Sequence, residues 1–404
     1  MRGLVDAVLS FKKDAPNFPL VTLANEDATV KAIRSGSASI DPTLATAYAS
    51  NLQSAVGSVL SSSDGDITMA AKVNVSKFAY FKAAEATSQV RAAATPDDAL
   101  KELNKFNRWQ ATEYNTAVAR ARSAKQWQGF EKTKEFLPNL KWVQSRSVNP
   151  REEHIAYWGR VWSKDDPFWA MNQPGNAYGC KCDWVETSEP VSGGNKRVET
   201  RTCAQGLEVN AGIQGEIFTM GHPYIGAAKG NESLIRSIAQ KEVVYDGVRI
   251  SLLADSKKIK DNIATARTLA KGGETVLVRP DFNVKNVGFA KGEKNPELEI
   301  NGITADAKRV MSEAGISNGF YKAKKQGCQS LVIEFKDGKT PNINKVANAI
   351  DNRNADFLKG EVKCCFVVWR GKYATIDAGL FKQHSKDKST RRNIIADKLK
   401  KALL

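Results

Sequence analysis

Two acids and a lysine around residue 300 carry the strongest chemical signal in this chain. The segment runs Pro296-Glu297-Leu298-Glu299-Ile300-Asn301-Gly302-Ile303-Thr304-Ala305-Asp306-Ala307-Lys308. Asn-Gly between two β-leaning arms predicts a two-residue hairpin turn, because both central positions must accept positive φ. That turn sets the register: Ile300 opposite Ile303, Glu299 opposite Thr304, Leu298 opposite Ala305 and Glu297 opposite Asp306. Alternation along the strands then puts Glu297, Glu299, Asp306 and Lys308 on one face. Opposed carboxylates repel by roughly a few tenths of a kcal/mol or more unless a cation lies between them. A divalent metal suits that place, since hard cations take carboxylate oxygens. With Lys308 beside it to stabilise charge on a phosphate, this is the layout of a metal-dependent phosphodiesterase, Glu297 and Asp306 holding Mg2+. The alternative is an exposed hairpin with scattered charge.

The elements that must hold the hairpin follow from local pattern. Ile259 to Lys271 carries Ile259, Ile263, Ala266 and Leu269 at helical spacing and stops at Gly272-Gly273. Thr275 to Val278 reads as a strand, and the two hairpin arms follow. Ser317 to Gln326 reads as a short helix, with Ser317 as its cap and Gly327 at its end. Ser330 to Phe335 is another strand. The order is helix, three strands, helix, strand, and it resembles the core of the restriction-endonuclease-like nucleases, whose acids and lysine sit on the second and third strands.

A second resemblance lies at residue level. Leu269 to Val276 (Leu-Ala-Lys-Gly-Gly-Glu-Thr-Val), Asn295-Pro296-Glu297, Asn301-Gly302, Asp306-Ala307-Lys308, Ile316-Ser317-Asn318 and Ala323-Lys324-Lys325-Gln326-Gly327 are similar to the C-terminal nuclease domain of contact-dependent inhibition toxins. That family's pattern is roughly an Asn-Pro-Asp, an acid-x-Lys and an Ala-x-x-Gln. Here Glu297 stands where the family more often has Asp, and Asp306 where it more often has Glu. The resemblance implies that Gln326 reaches into the site from the helix and that the substrate is tRNA or other nucleic acid.

Charge agrees with a polyanionic partner. Residues 241–404 hold 32 Lys and Arg against 19 Asp and Glu, a net +13 of the whole chain's +16. Lys382, Lys386, Lys388, Arg391, Arg392, Lys398, Lys400 and Lys401 crowd the last part of the chain, where they could track a phosphate backbone or simply form a solvated basic helix. Aromatics interleaved for base stacking are missing there, so sequence-specific reading is unsupported.

Composition excludes other classes. The 404 residues suit two to three domains, and no stretch approaches the ~20 apolar residues of a membrane span. Met1-Arg2-Gly3-Leu4-Val5-Asp6 lacks a secretory pattern, which predicts synthesis in the cytoplasm. The six cysteines (Cys180, Cys182, Cys203, Cys328, Cys364, Cys365) are too irregular for a disulfide framework. Cys328, Cys364 and Cys365 sit in apolar runs and read as core fillers.

The first 140 residues are rich in Ala, Ser and Thr. Leu44 to Leu60, Lys77 to Ala94 and Asp97 to Phe136 read as helices, the last carrying Leu100, Leu103, Phe106, Trp109, Tyr114, Val118 and Ala121 at near-helical spacing. Nothing there is catalytic in type. Residues 142–184 differ: Trp142, Trp158, Trp162, Trp169 and Trp184 are five of the chain's eight tryptophans. Within them lie Arg151-Glu152-Glu153-His154, Gly159, Asp166-Pro167-Phe168-Trp169, then Pro174, Asn176 and Cys180-Lys181-Cys182. These resemble the head-morphogenesis domain of Mu-type phage minor head proteins, in which Arg-x-x-His, a Gly, Asp-Pro-Phe-Trp and a Pro-rich turn before Cys-Arg-Cys recur in this order. His154, Cys180 and Cys182 are of the right type for Zn2+, although Cys-x-Cys is tighter than the usual ligand gap and no fourth ligand is evident. The alternative is a compact loop in which His154 hydrogen-bonds and both thiols are buried.

The expectation is a multidomain α+β chain: a helical assembly region over 1–140, a Mu F-like head-morphogenesis domain over 141–190, a Gly-rich connector over 191–240, and a basic restriction-endonuclease-like (αβββαβ) domain over 241–404. His222, within the connector, reads as a loop residue. The resemblances together imply a minor head protein near the portal, inside the virion, with the portal and other capsid or scaffold proteins and nucleic acid as partners, and no membrane. Two rivals stand beside it. One is a domain that only grips packaged DNA. The other is a polymorphic toxin nuclease on a phage-derived delivery module, with an immunity protein as its partner. Metal-independent RNase chemistry ranks last, because His384 is the only histidine in 241–404 and such chemistry needs a general base.

Overall fold

The computed structural model describes residues 26–193, 203–282, 294–336 and 338–404. The expectation about the N-terminal residues, and the polar run from Gly194 onward, lie outside them. The chain is mixed α/β, with a helical N-terminal region and a mixed eight-stranded sheet. It divides into two compact units, Met1–Ile235 and Arg236–Leu404.

The first unit is built on helices α1 (Glu26–Ser35), α2 (Pro42–Gly57), α3 (Asp66–Ala92), α4 (Pro96–Arg108) and α5 (Gln110–Lys132). Their starts are locally encoded. Asp41 accepts from the Leu44 N–H ahead of Pro42, and Thr95 accepts from Asp98 ahead of Pro96. Each such cap contributes about 1 kcal/mol. The single helix expected over Asp97 to Phe136 is two helices broken at Trp109, which is exposed rather than part of an apolar face. Helix α3 is buried on almost every side, including Lys82, whose Nζ lies 2.5 Å from Glu113. Tyr48 also donates to that carboxylate. A buried pair of this kind is held by mutual satisfaction, and removing one partner leaves a costly charge.

Beyond α5 the chain forms a three-stranded antiparallel sheet in the order β2-β1-β3, from β1 (Asn139–Val143), β2 (Val161–Ser163) and β3 (Asp183–Thr187). Trp142 on β1 pairs with Trp184 on β3. These two, with Trp127, Trp162 and Trp169, form an aromatic core. Two single-turn helices punctuate the connections, α6 (Glu152–Ile155) and α7 (Phe168–Met171).

The expected connector over 191–240 is corrected in its described part. Leu207, Ala211, Ile217, Phe218 and Ile225 are buried. Phe218 exchanges backbone hydrogen bonds with the Asn74 side chain on α3, and buried Arg120 on α5 donates to the carbonyls of Leu207, Val209 and Glu216. Gly and polar residues here shape tight turns around a few apolar anchors, so composition alone reads as linker. His222 does lie in a loop, as expected, but it is buried there, caps α9 (Pro223–Ala227; α8 is Ala211–Gln214), and meets the Tyr178 hydroxyl at 2.8 Å.

After α10 (Glu232–Ala239), the second unit carries one sheet in the order β11-β10-β9-β8-β7-β6-β5-β4. Its strands are β4 (Glu242–Tyr245), β5 (Val248–Ser251), β6 (Val276–Val278), β7 (Leu298–Ile300), β8 (Ile303–Val310), β9 (Ser330–Phe335), β10 (Cys364–Trp369) and β11 (Lys372–Asp377). The helices are α11 (Ile259–Lys271), α12 (Ala314–Lys325), α13 (Ile343–Asp351), α14 (Asn354–Leu358), α15 (Ala378–Gln383) and α16 (Lys388–Leu403). Pairs β5–β6, β8–β9 and β9–β10 are parallel, and the others are antiparallel. Helix α12 begins three residues before Ser317, which is therefore not its cap. Gly327, at φ +73°, does end it.

Candidate functional site

The hairpin forms with the register read from the turn: Ile300 pairs with Ile303, Glu299 with Thr304 and Leu298 with Ala305. Asn301 and Gly302 take φ of 51° and 76°. Asn301 does more than turn the chain: its Oδ1 accepts from the Thr275 N–H and its Nδ2 donates to Glu274, tying the turn to the start of β6.

Glu297, Asp306 and Lys308 converge. Lys308 Nζ lies 2.7 Å from the Asp306 carboxylate and 3.8 Å from Glu297. Glu297 also accepts from the Ala307 N–H at 3.0 Å. Lys308 is not the only cation beside the two acids. Besides Lys308, Lys258 Nζ sits 2.9 Å from Glu297, so two ammonium groups already face the pair. Lys258 immediately precedes α11 and is far away in sequence, so no hairpin register could reveal it. Glu299 belongs to a different contact, 3.4 Å from Arg279. Gln326 is half-buried at the C-cap of α12, where its N–H bonds to the Lys322 carbonyl. Among the described residues its side chain hydrogen-bonds none of the three.

Electrostatics splits the two acids. Burial, with the hydrogen-bonded Glu297 carboxylate, pushes Asp306 up to about 7. Burial opposes ionisation of Glu297 as well, but the hydrogen bond from Asp306 and the two ammonium groups override it and hold its carboxyl down to about 2. Near neutrality the pair therefore shares a proton, as two close carboxylates in a half-buried site must. Cys328 lies within reach of the same field: burial first, then the charges of Asp306 and Glu297, push its thiol up to about 12. The donor set suits a hard divalent cation, which would take the place of that proton and draw its remaining ligands from water or a phosphate.

The first unit holds a second constellation. His154, on α6, is 1 % exposed. Its Nδ1 lies 3.5 Å from Cys180 Sγ and 3.6 Å from Cys182 Sγ, just before β3. Both cysteines are free thiols. Hydrogen bonding from Cys182, and then from His154, holds the Cys180 thiol well below its usual range despite burial; Cys182 is pushed up in turn by its hydrogen bond with Cys180. A cavity of about 240 Å³ borders all three side chains, together with Ser145, Asn149 and Tyr178.

The expected phosphate-tracking tail is partly corrected. Arg391 is 2 % exposed and holds Asp351 at 2.5 Å, and Arg392 holds the same carboxylate at 2.9 Å. These two arginines fasten α16 to α13. Lys382, Lys386, Lys388, Lys398, Lys400 and Lys401 remain exposed. No described helix is long and apolar enough to cross a membrane.

Residues 82–185 match the family Phage Mu protein F like protein. The matched segment contains the five clustered tryptophans, His154, Cys180 and Cys182. No curated protein and no solved structure matches the chain significantly.

Proposed function

We propose that this chain is a Mu F-like phage head protein acting in head morphogenesis, with a metal-dependent nuclease-like module as its second unit. The observation that carries the head assignment is the family match over residues 82–185. It supports other capsid proteins, the portal among them, as partners, and the virion as the location. Mass spectrometry of purified DNA-filled heads is the test. The chain should be a stoichiometric minor component, and its absence from heads would favour a toxin that merely carries a phage-derived delivery module.

The nuclease reading rests on the convergence of Glu297, Asp306 and Lys308. Glu297 and Asp306 would hold Mg2+, which when bound polarises a phosphate and lowers the pKa of a coordinated water. Glu297, ionised at neutral pH, is ready to ligate, whereas Asp306 must give up its proton. Lys308 would set its ammonium against the charge developing on the scissile phosphate. Gln326, at the C-cap of α12, would position substrate.

A specific observation favours the silent alternative: Lys258 and Lys308 already offset the charge of the acidic pair, so the pair persists without a metal and the unit could serve only to grip nucleic acid. Incubating the full chain with tRNA and with duplex DNA, in Mg2+ or in EDTA, separates the two. Cleavage that needs Mg2+ and disappears in Glu297→Ala/Asp306→Ala supports the nuclease. Unchanged affinity with no cleavage in either protein supports the grip.

A further inference from the structure

We propose that His154 Nδ1, Cys180 Sγ and Cys182 Sγ bind one Zn2+ ion, whose fourth position opens on the adjoining cavity.

Geometry is the first argument. Zinc takes thiolate sulfur at about 2.3 Å and imidazole nitrogen at about 2.0–2.1 Å, in a tetrahedron. Those lengths and the tetrahedral angle place nitrogen and sulfur about 3.5–3.6 Å apart. The two His154 Nδ1 to sulfur distances are 3.5 and 3.6 Å. All three donor atoms lie within 4.8 Å of one another. Both nitrogen-to-sulfur separations therefore already match what an ion would require.

The surroundings are the second argument. His154 Nε2 is buried without a hydrogen-bond partner among the described residues. Among the described residues the ring makes its polar contacts through Nδ1 alone, and those are two long contacts to sulfur, poor recompense for burying an imidazole. A metal on Nδ1 would replace those two weak contacts and leave Nε2 to carry the ring proton. Among the described residues the indole N–H groups of Trp142 and Trp158 are also buried without an acceptor, and both rings pack beside this cluster.

Placement gives the ion a task. His154 belongs to the connection between β1 and β2, and the cysteines lead into β3. The ion would pin these two connections together against the tryptophan core, a closure that spans 28 residues (His154 to Cys182). The chemistry of two thiolates and an imidazole selects a borderline-soft ion over Mg2+, so this site and the carboxylate pair of the second unit would load independently. A cavity of about 240 Å³ at the fourth position leaves room for water or for a ligand group from a neighbouring protein.

The test uses the full chain, purified after growth with added zinc, together with its cobalt-substituted form. Elemental analysis should find about one zinc per chain. Cobalt should give sulfur-to-metal charge-transfer bands with the intense visible bands of a tetrahedral site. Both signals should vanish in Cys180→Ser/Cys182→Ser and persist in Cys203→Ser and Cys328→Ser. His154→Ala should weaken zinc binding by more than about a hundredfold, since loss of a direct ligand exceeds the effect of outer-shell changes. A folded wild-type chain that takes up far less than one zinc and shows no charge-transfer bands would overturn the proposal. So would retention of zinc in the double serine variant, or a Cys180–Cys182 disulfide in the purified chain. Should the double variant fail to fold, the wild-type cobalt spectrum decides the matter alone.

Discussion

Asp306 shows how much a single residue's meaning depends on its neighbours. On the sequence it is one of two acids awaiting a cation; in the fold it is a buried carboxyl, 1 % exposed, between Glu297 and Lys308. Its pKa, about 7 in the native chain, stands above the ~3.9 of an unfolded aspartate. The native state thus binds more protons than the unfolded one between about pH 4 and pH 7, and stability from this group falls as pH rises through that window. Glu297, at about 2, works the opposite way: its contribution is present above the unfolded value of ~4.3 and is lost as pH falls toward 2. Asp306→Asn should accordingly gain on the wild type by about 1–2 kcal/mol between pH 5 and pH 8, part of the gain being offset by the weaker hold on Lys308. Denaturant unfolding of both proteins at the two pH values measures this. A difference that does not change with pH would mean that Asp306 is not strained by ionisation.

At the scale of elements, the Asn301-Gly302 turn is where local stereochemistry and tertiary contact meet. The turn type was legible because two consecutive positive φ angles are tolerated by few residue pairs. The extra duty of Asn301, bridging to Thr275 and Glu274, was not legible, since β6 lies more than twenty residues earlier in the chain. Asn301→Gly keeps the turn and loses the bridge, while Gly302→Ala keeps the bridge and strains the turn. Each should cost about 1–2 kcal/mol, and the double variant should approach the sum if the two effects are independent. Thermal unfolding of the three variants checks this. A neutral Asn301→Gly would show that the bridge contributes nothing. The same contrast explains two other elements. The Trp109 break within the expected long helix escaped a periodicity argument that only counts apolar positions. The described part of the expected connector escaped because its anchors, Leu207, Ile217 and Phe218, are sparse among polar and Gly residues.

For the whole molecule, the charge asymmetry carries the clearest expectation. The net +13 over residues 241–404 has two kinds of arginine and lysine behind it. Arg391 and Arg392 are fastened to Asp351, whereas Lys386, Lys388 and Lys401 are exposed. Replacing those three lysines by Glu should weaken binding of duplex DNA and flatten its dependence on salt by about one unit of logarithmic slope per lost phosphate contact. Arg391→Met should instead lower stability, because it leaves the buried Asp351 carboxylate held by Arg392 alone. Binding isotherms at several salt concentrations, beside thermal unfolding, distinguish the two. Equal binding by the lysine variant would remove the basic tail from any nucleic-acid role. What the sequence by itself determined is whatever depends on near neighbours: the hairpin and its register, and the Trp-rich segment with its His and Cys-x-Cys. Short-range sterics and alternation are written in consecutive residues, so they can be read there. The tertiary structure alone decided which distant groups meet: Lys258 at Glu297, His154 at the two sulfurs, Arg391 at Asp351. Those contacts close long loops, and their geometry is set by packing of the whole unit rather than by any one stretch of chain.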